Sequence, residues 1–174
     1  MEKIKGNLGL IALVVVVLVA AIFRIIPHPP NFTPIAAMAL FGGAYFTNKK
    51  LAFLIPMAAM LLSDLFIGFH SGMPAVYLSF ALMVLIGMRI SNNIKPKSVI
   101  IGSLSASVLF FVITNFGVWM TSATMYSQGL YGLTACYVAA IPFFHNTVLG
   151  DLVFTSVLFG GFYLVRQKFP ILVK

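Results

Sequence analysis

Apolar runs long enough to cross a bilayer alternate along this chain with short polar breaks, and the breaks mark out its elements. Leu8 to Ile26 would form roughly 28 Å of helix, enough for a first span. Its start resembles a signal peptide ending at Val19-Ala20-Ala21, but the apolar run continues through Ile26, so it is read as a retained span. The stretch Arg24-Ile-Ile-Pro-His-Pro-Pro-Asn-Phe-Thr-Pro then breaks the pattern. Pro27, Pro29, Pro30 and Pro34 fix four φ angles and remove four donors, which predicts a stiff, non-helical strap. With Thr33 as N-cap and Pro34 in the first helical position, a second helix runs to about Phe46. At roughly 20 Å it is short for a span, so the strap is expected at membrane depth, against protein or a water-filled cavity.

Leu51 to Phe69 predicts a third span, interrupted by Pro56 and carrying Asp64, and Ala75 to Ile90 a fourth, after an uncharged turn at His70 to Pro74. The basic loop Arg89 to Lys97 leads into a fifth span from Ser98 to about Val118. Leu133 to Ile141 is apolar but stops at Pro142, too short to cross, and is expected to be re-entrant or interfacial. Val148 to Val165 is the last span. The predicted fold is all-α: one polytopic transmembrane domain over residues 1–174, with six transmembrane helices, a proline-rich outer loop and a re-entrant or interfacial segment before the last helix.

Composition agrees with a membrane class: 61% of residues are hydrophobic, 8% are charged, and the mean hydropathy is +1.07. The net charge of +8 would suggest nucleic acid in a soluble protein. Here the basic residues follow topology instead, and no nucleic-acid partner is expected. Lys3 and Lys5, Lys49 and Lys50, Arg89, Lys95 and Lys97, and Arg166, Lys168 and Lys174 share one side of a six-span arrangement, leaving Arg24 alone on the other. The positive-inside rule therefore puts both termini in the cytoplasm. The single cysteine, Cys136, excludes an internal disulfide.

In this topology the unusual polar residues gather in the outer half. Arg24 ends the first span, Asp64 lies about two-thirds of the way out along the third, Thr114 and Asn115 close the fifth, and Asp151 opens the sixth. His28, Asn31, Thr33, His70, His145 and Asn146 occupy the outer connections, and Trp119 fits an interfacial anchor. Charges at membrane depth cost a few kcal/mol each and are placed against partners or cavities. Two readings follow: a structural pairing of Arg24 with Asp64 or Asp151, or a small-molecule pocket beneath the strap. No Glu-x-x-His or His-x-x-x-His pair pre-sets a metal site. Small residues at helical spacing, Ala36, Ala39 and Gly43 and then Gly102, Ser103, Ala106 and Ser107, predict close helix packing.

The run from Arg24 to Tyr45, Ser63-Asp64, Thr114-Asn115-Phe-Gly-Val-Trp119 and Asn146-Thr-Val-Leu-Gly-Asp151 resemble a bacterial family of small, mostly uncharacterised integral membrane proteins. More distantly, the layout is similar to the substrate-binding S components of energy-coupling-factor vitamin transporters. That resemblance implies a pocket near the outer face of a bacterial cytoplasmic membrane, a lid between the first two helices, and a transmembrane scaffold subunit and ATPases as partners. It implies no cofactor and no enzymatic activity. The Ala-x-x-x-Ala scaffold-contacting surface of those proteins is absent, since Ala12 is followed at four residues by Val16 and Ala20 by Arg24. The expected role is capture of a vitamin-like solute for uptake. Arg24 would hold an anionic group, Asp64 and Asp151 would take donors or a cationic centre, and Asn31, Asn115 and Asn146 would give directional hydrogen bonds. His28, Thr33, His70, Trp119 and His145 complete the candidate set. The alternatives are a stand-alone or proton-coupled carrier using Asp64 and Asp151, and an intramembrane enzyme using His145 or Cys136.

Overall fold

The computed structural model describes residues 2–169, with side chains from residue 9 onward, so the side chains of Lys3 and Lys5 and all of Lys174 lie outside the described residues. Six helices follow one another: α1 (Glu2–Ile22), α2 (Ile35–Tyr45), α3 (Lys49–Ile67), α4 (Met73–Ile90), α5 (Pro96–Thr121) and α6 (Leu130–Lys168). The described residues contain no strand. Helices α3, α4, α5 and α6 are each long and apolar enough to cross a membrane.

The shortest helix is the hub. All of α2 from Ile35 to Ala44 is buried, and it touches each of the other five helices. A helix apolar on every side has no face to give to water and settles at the centre of a bundle. Around it, α1, α3, α4, α5 and α6 form an arc in which consecutive members pack together. The seam between the two ends of the arc is closed by Phe23 and Phe32 against Phe154.

Small side chains set the spacing at the hub. A Cβ on Gly43 would sit 2.9 Å from the Gly87 Cα, and one on Gly87 would sit 3.0 Å from the Gly43 Cα, so α2 and α4 cross backbone to backbone. Gly42 leaves the room that the Pro56 ring of α3 fills. At its C-terminal end α2 is held to α6 by Phe41 and Tyr45 stacked on Phe159 and Phe162, with the Arg166 guanidinium 5.9 Å from the Tyr45 ring centre. The small residues of α5, Gly102, Ser103, Ala106 and Ser107, are likewise buried in the bundle.

Two local expectations are corrected. Thr33 makes no capping bond: Pro34 occupies the cap position and α2 begins at Ile35. Pro142 does not stop the helix, and the stretch Leu133 to Ile141 is the leading part of one continuous 39-residue helix. Contacts with α5 outweigh the missing hydrogen bond there. Tyr137 donates to the Val112 carbonyl at 2.6 Å, Cys136 is buried with its Sγ 3.5 Å from the Asn115 carbonyl, and Pro142 itself points outward. At roughly 58 Å, α6 is about twice as long as a hydrocarbon core is thick, so its leading part extends beyond the core or along its surface.

Candidate functional site

The strap, the His70 loop and the α5–α6 connection share one end of the bundle, and the basic turns share the other. At the strap end, the polypeptide continues from α1 in a tight turn that carries Arg24 back over α3. Its Nη2 donates to Asp64 Oδ1 at 2.7 Å, and its Nη1 donates to the Met60 carbonyl at 3.2 Å and to the Ser63 hydroxyl. Asp64 Oδ2 accepts from the Tyr77 hydroxyl of α4 at 2.7 Å. The two charged side chains are 9% and 6% exposed. One guanidinium thus ties the end of α1 to α3, and one carboxylate ties α3 to α4.

Beside this knot lies an open vestibule of about 410 Å³, bordered by the strap at Asn31, the His70 loop, Val76 of α4, the α5 stretch from Phe110 to Thr121, and Ala140, Phe143 and Thr147 of α6. Asn31 adopts a left-handed conformation, φ 64°, which asparagine tolerates better than most side chains. The strap is fastened to α6 by Asn146, whose Nδ2 donates to the Pro30 carbonyl at 3.1 Å. It comes so close to α6 that a Cβ on Gly150 would be 3.1 Å from the Phe32 Cα. Thr114 and the amide nitrogen of Asn115 donate back to the Phe110 and Phe111 carbonyls at 2.7 and 2.8 Å, which leaves the Asn115 side-chain oxygen as an acceptor. His70 Nδ1 accepts from the Gly72 amide at 3.2 Å, so the neutral ring carries its proton on Nε2.

Beneath the vestibule is a much smaller cavity of about 10 Å³. Asn31, Phe110 and Thr147 border both spaces, and Thr33 and Asp151 join the lower one. Asp151 is 4% exposed and about 22 Å along α6 from Arg166, well inside a bilayer. Its Oδ2 accepts from the Ser107 hydroxyl of α5 at 2.6 Å. One turn further, Thr155 donates to Ser103 at 3.4 Å, and Thr155 borders an apolar groove of about 540 Å³ toward the basic end. Polar side chains therefore follow the α5–α6 interface from the vestibule to well below Asp151.

Of the residues expected at the site, Asn31, His70 and Asn115 border the vestibule, and Thr33 and Asp151 border the cavity below it. Arg24 and Asp64 border neither and lie in the knot with Met60, Ser63 and Tyr77. His28 is exposed, with Nδ1 3.0 Å from the Pro29 carbonyl. His145 is exposed on α6, and Asn146 is the staple of the strap. Trp119 donates Nε1 to the Ser127 carbonyl at 3.2 Å and braces the α5–α6 connection. Sequence reading overlooked Thr147, and it treated Ser103 and Ser107 as packing residues alone. A sharper signal was present: Thr147, Asp151 and Thr155 recur every four residues along one face of α6, and Ser103 and Ser107 do the same on α5. Among the described residues, no three His, Cys, Asp or Glu side chains come together as a metal cluster.

A family model described as a family of unknown function (DUF6580) matches residues 5–172. No curated protein and no solved structure matches the chain.

Proposed function

The chain belongs to the DUF6580 family, and we propose that it captures a small, hydrogen-bonding solute in the vestibule at its strap end, as the substrate-binding membrane subunit of an uptake system for a vitamin-like molecule. The observation that carries this reading is the vestibule itself. Its volume of about 410 Å³ suits a small metabolite, and it combines hydroxyl, amide and imidazole groups with the rings of Phe110, Phe111 and Phe143. No lysine, arginine, aspartate or glutamate borders it, which favours a solute without net charge. In this reading Arg24 belongs to the knot, since three of its N–H donors hold Asp64, Met60 and Ser63 and it does not border the vestibule.

With the basic turns facing the cytoplasm, the vestibule opens outward and the strap serves as its movable rim. As in the energy-coupling-factor S components that the layout resembles, inward delivery would use a scaffold subunit and ATPases. A second reading, a carrier that works alone, is favoured by the polar track below the vestibule. Co-purification of an ATPase module supports the first, and uptake by the protein alone in liposomes supports the second.

The capture reading is tested by native mass spectrometry of the protein purified from its own host. The wild-type chain should carry a retained small molecule, and Ala140→Trp, which fills the vestibule from α6, should not. Equal retention by both would remove the vestibule from the account.

A further inference from the structure

We infer that the small cavity above Asp151 is a binding site for one sodium ion, formed by Asp151 and Thr147 of α6 with Asn31 and Thr33 of the strap. The first observation is an incompletely used carboxylate. Asp151 Oδ2 takes the Ser107 hydroxyl, while Oδ1 has no hydrogen-bond partner among the described residues and yet is not sealed away from space. The Thr147 hydroxyl is in the same condition, and the two residues are 4% and 5% exposed. Thr114, Thr121 and Thr134 each bond back to a carbonyl of their own helix. Thr147 does not, which leaves its oxygen for the cavity it borders.

The second observation is size and charge. A space of about 10 Å³ has room for one water-sized occupant. No cationic side chain borders it: α2 contributes Ile35 and Ala36, α4 contributes Met83, and α5 contributes Phe110. A carboxylate so placed is unneutralised by protein at a depth where that is costly. A single carboxylate among neutral oxygens gives a site of charge −1, which matches a monovalent hard cation. A divalent ion would ordinarily draw on more carboxylates, and a transition metal on nitrogen or sulfur.

Because the strap and α6 both supply oxygens, the ion would pin the strap over the vestibule floor, and Asn31 and Thr147 border both spaces. The site nevertheless stands apart from the solute reading, since its test reads the cation alone.

The full-length protein, purified in detergent at neutral pH, is melted in sodium, potassium or choline chloride at constant ionic strength. Sodium should raise Tm progressively with concentration, by roughly 4 °C at a tenfold excess over Kd. Choline should give no rise, and potassium should give less than sodium. Asp151→Asn should abolish the response, and Thr147→Val should raise the sodium concentration needed for that 4 °C rise about tenfold. Should Asp151→Asn fail to fold, the sodium concentration that Thr147→Val needs for the same rise decides, and a wild-type value there overturns the site. Equal melting in all three salts overturns it too, as does a stabilisation that follows acid and ignores sodium, which would mean that Asp151 takes a proton beside a water.

Discussion

Removing the Arg24 guanidinium separates a structural knot from a ligand site. In Arg24→Met the aliphatic stem is kept, while Asp64 loses its cation and retains only the Tyr77 hydroxyl, and the Met60 carbonyl and Ser63 lose a donor. Breaking a buried pair from one side costs about 3–5 kcal/mol, since the remaining charge stays behind. The low end applies here, because Tyr77 still donates to the carboxylate and the unfolded chain in a membrane or micelle finds other polar partners. We expect a loss of about 3 kcal/mol for Arg24→Met and a similar loss for Asp64→Leu. The double variant should lose much less than their sum, with a coupling of about 2 kcal/mol, because the partnerless charge is gone. The assay is a double-mutant cycle by reversible denaturation in mixed micelles, alongside measurement of the retained solute. An Arg24→Met protein of wild-type stability that no longer holds solute would refute the reasoning and return Arg24 to the pocket.

Two further perturbations follow from the same geometry. Gly87→Val puts side-chain carbons where α4 meets the Leu40 carbonyl and the Gly43 Cα of α2, with backbone on both sides, so a loss of about 3 kcal/mol or more is expected, read as poor yield and early melting. A well-folded Gly87→Val would mean that α2 and α4 are not in backbone contact. Asn146→Ala removes the bond to the Pro30 carbonyl, worth about 1 kcal/mol, and should speed proteolysis within Pro27 to Asn31 about fivefold while lowering Tm by only about 3 °C. An unchanged cleavage rate would contradict the role given to that staple.

The helical architecture was legible because hydrophobic runs and basic turns are determined locally. Ala36, Ala39 and Gly43 announced a tightly packed second helix before any contact was known, and burial of α2 on every side is the extreme form of that pattern. Pro142 misled for the opposite reason: its local preference is real, but Tyr137 and Cys136 hold the flanking turns to α5 through contacts invisible along the chain. The site was half legible. Sequence placed Arg24, Asp64 and Asp151 at a similar depth, and depth alone cannot say which carboxylate the guanidinium takes. Once Arg24 closes on Asp64, Asp151 is left to the hydroxyls, and Ser107 and Thr147 become its neighbours.

The most direct test of the vestibule needs no knowledge of the solute. In a Cys136→Ser background, Thr114→Cys on the vestibule wall and Val112→Cys, exposed on the outside of α5 at similar depth, are treated in sealed membrane vesicles with a membrane-impermeant maleimide. Thr114→Cys should be labelled rapidly, from the strap side alone, and Val112→Cys only slightly. Equal labelling of the two, or a Thr114→Cys thiol unreactive from either side, would contradict the open vestibule.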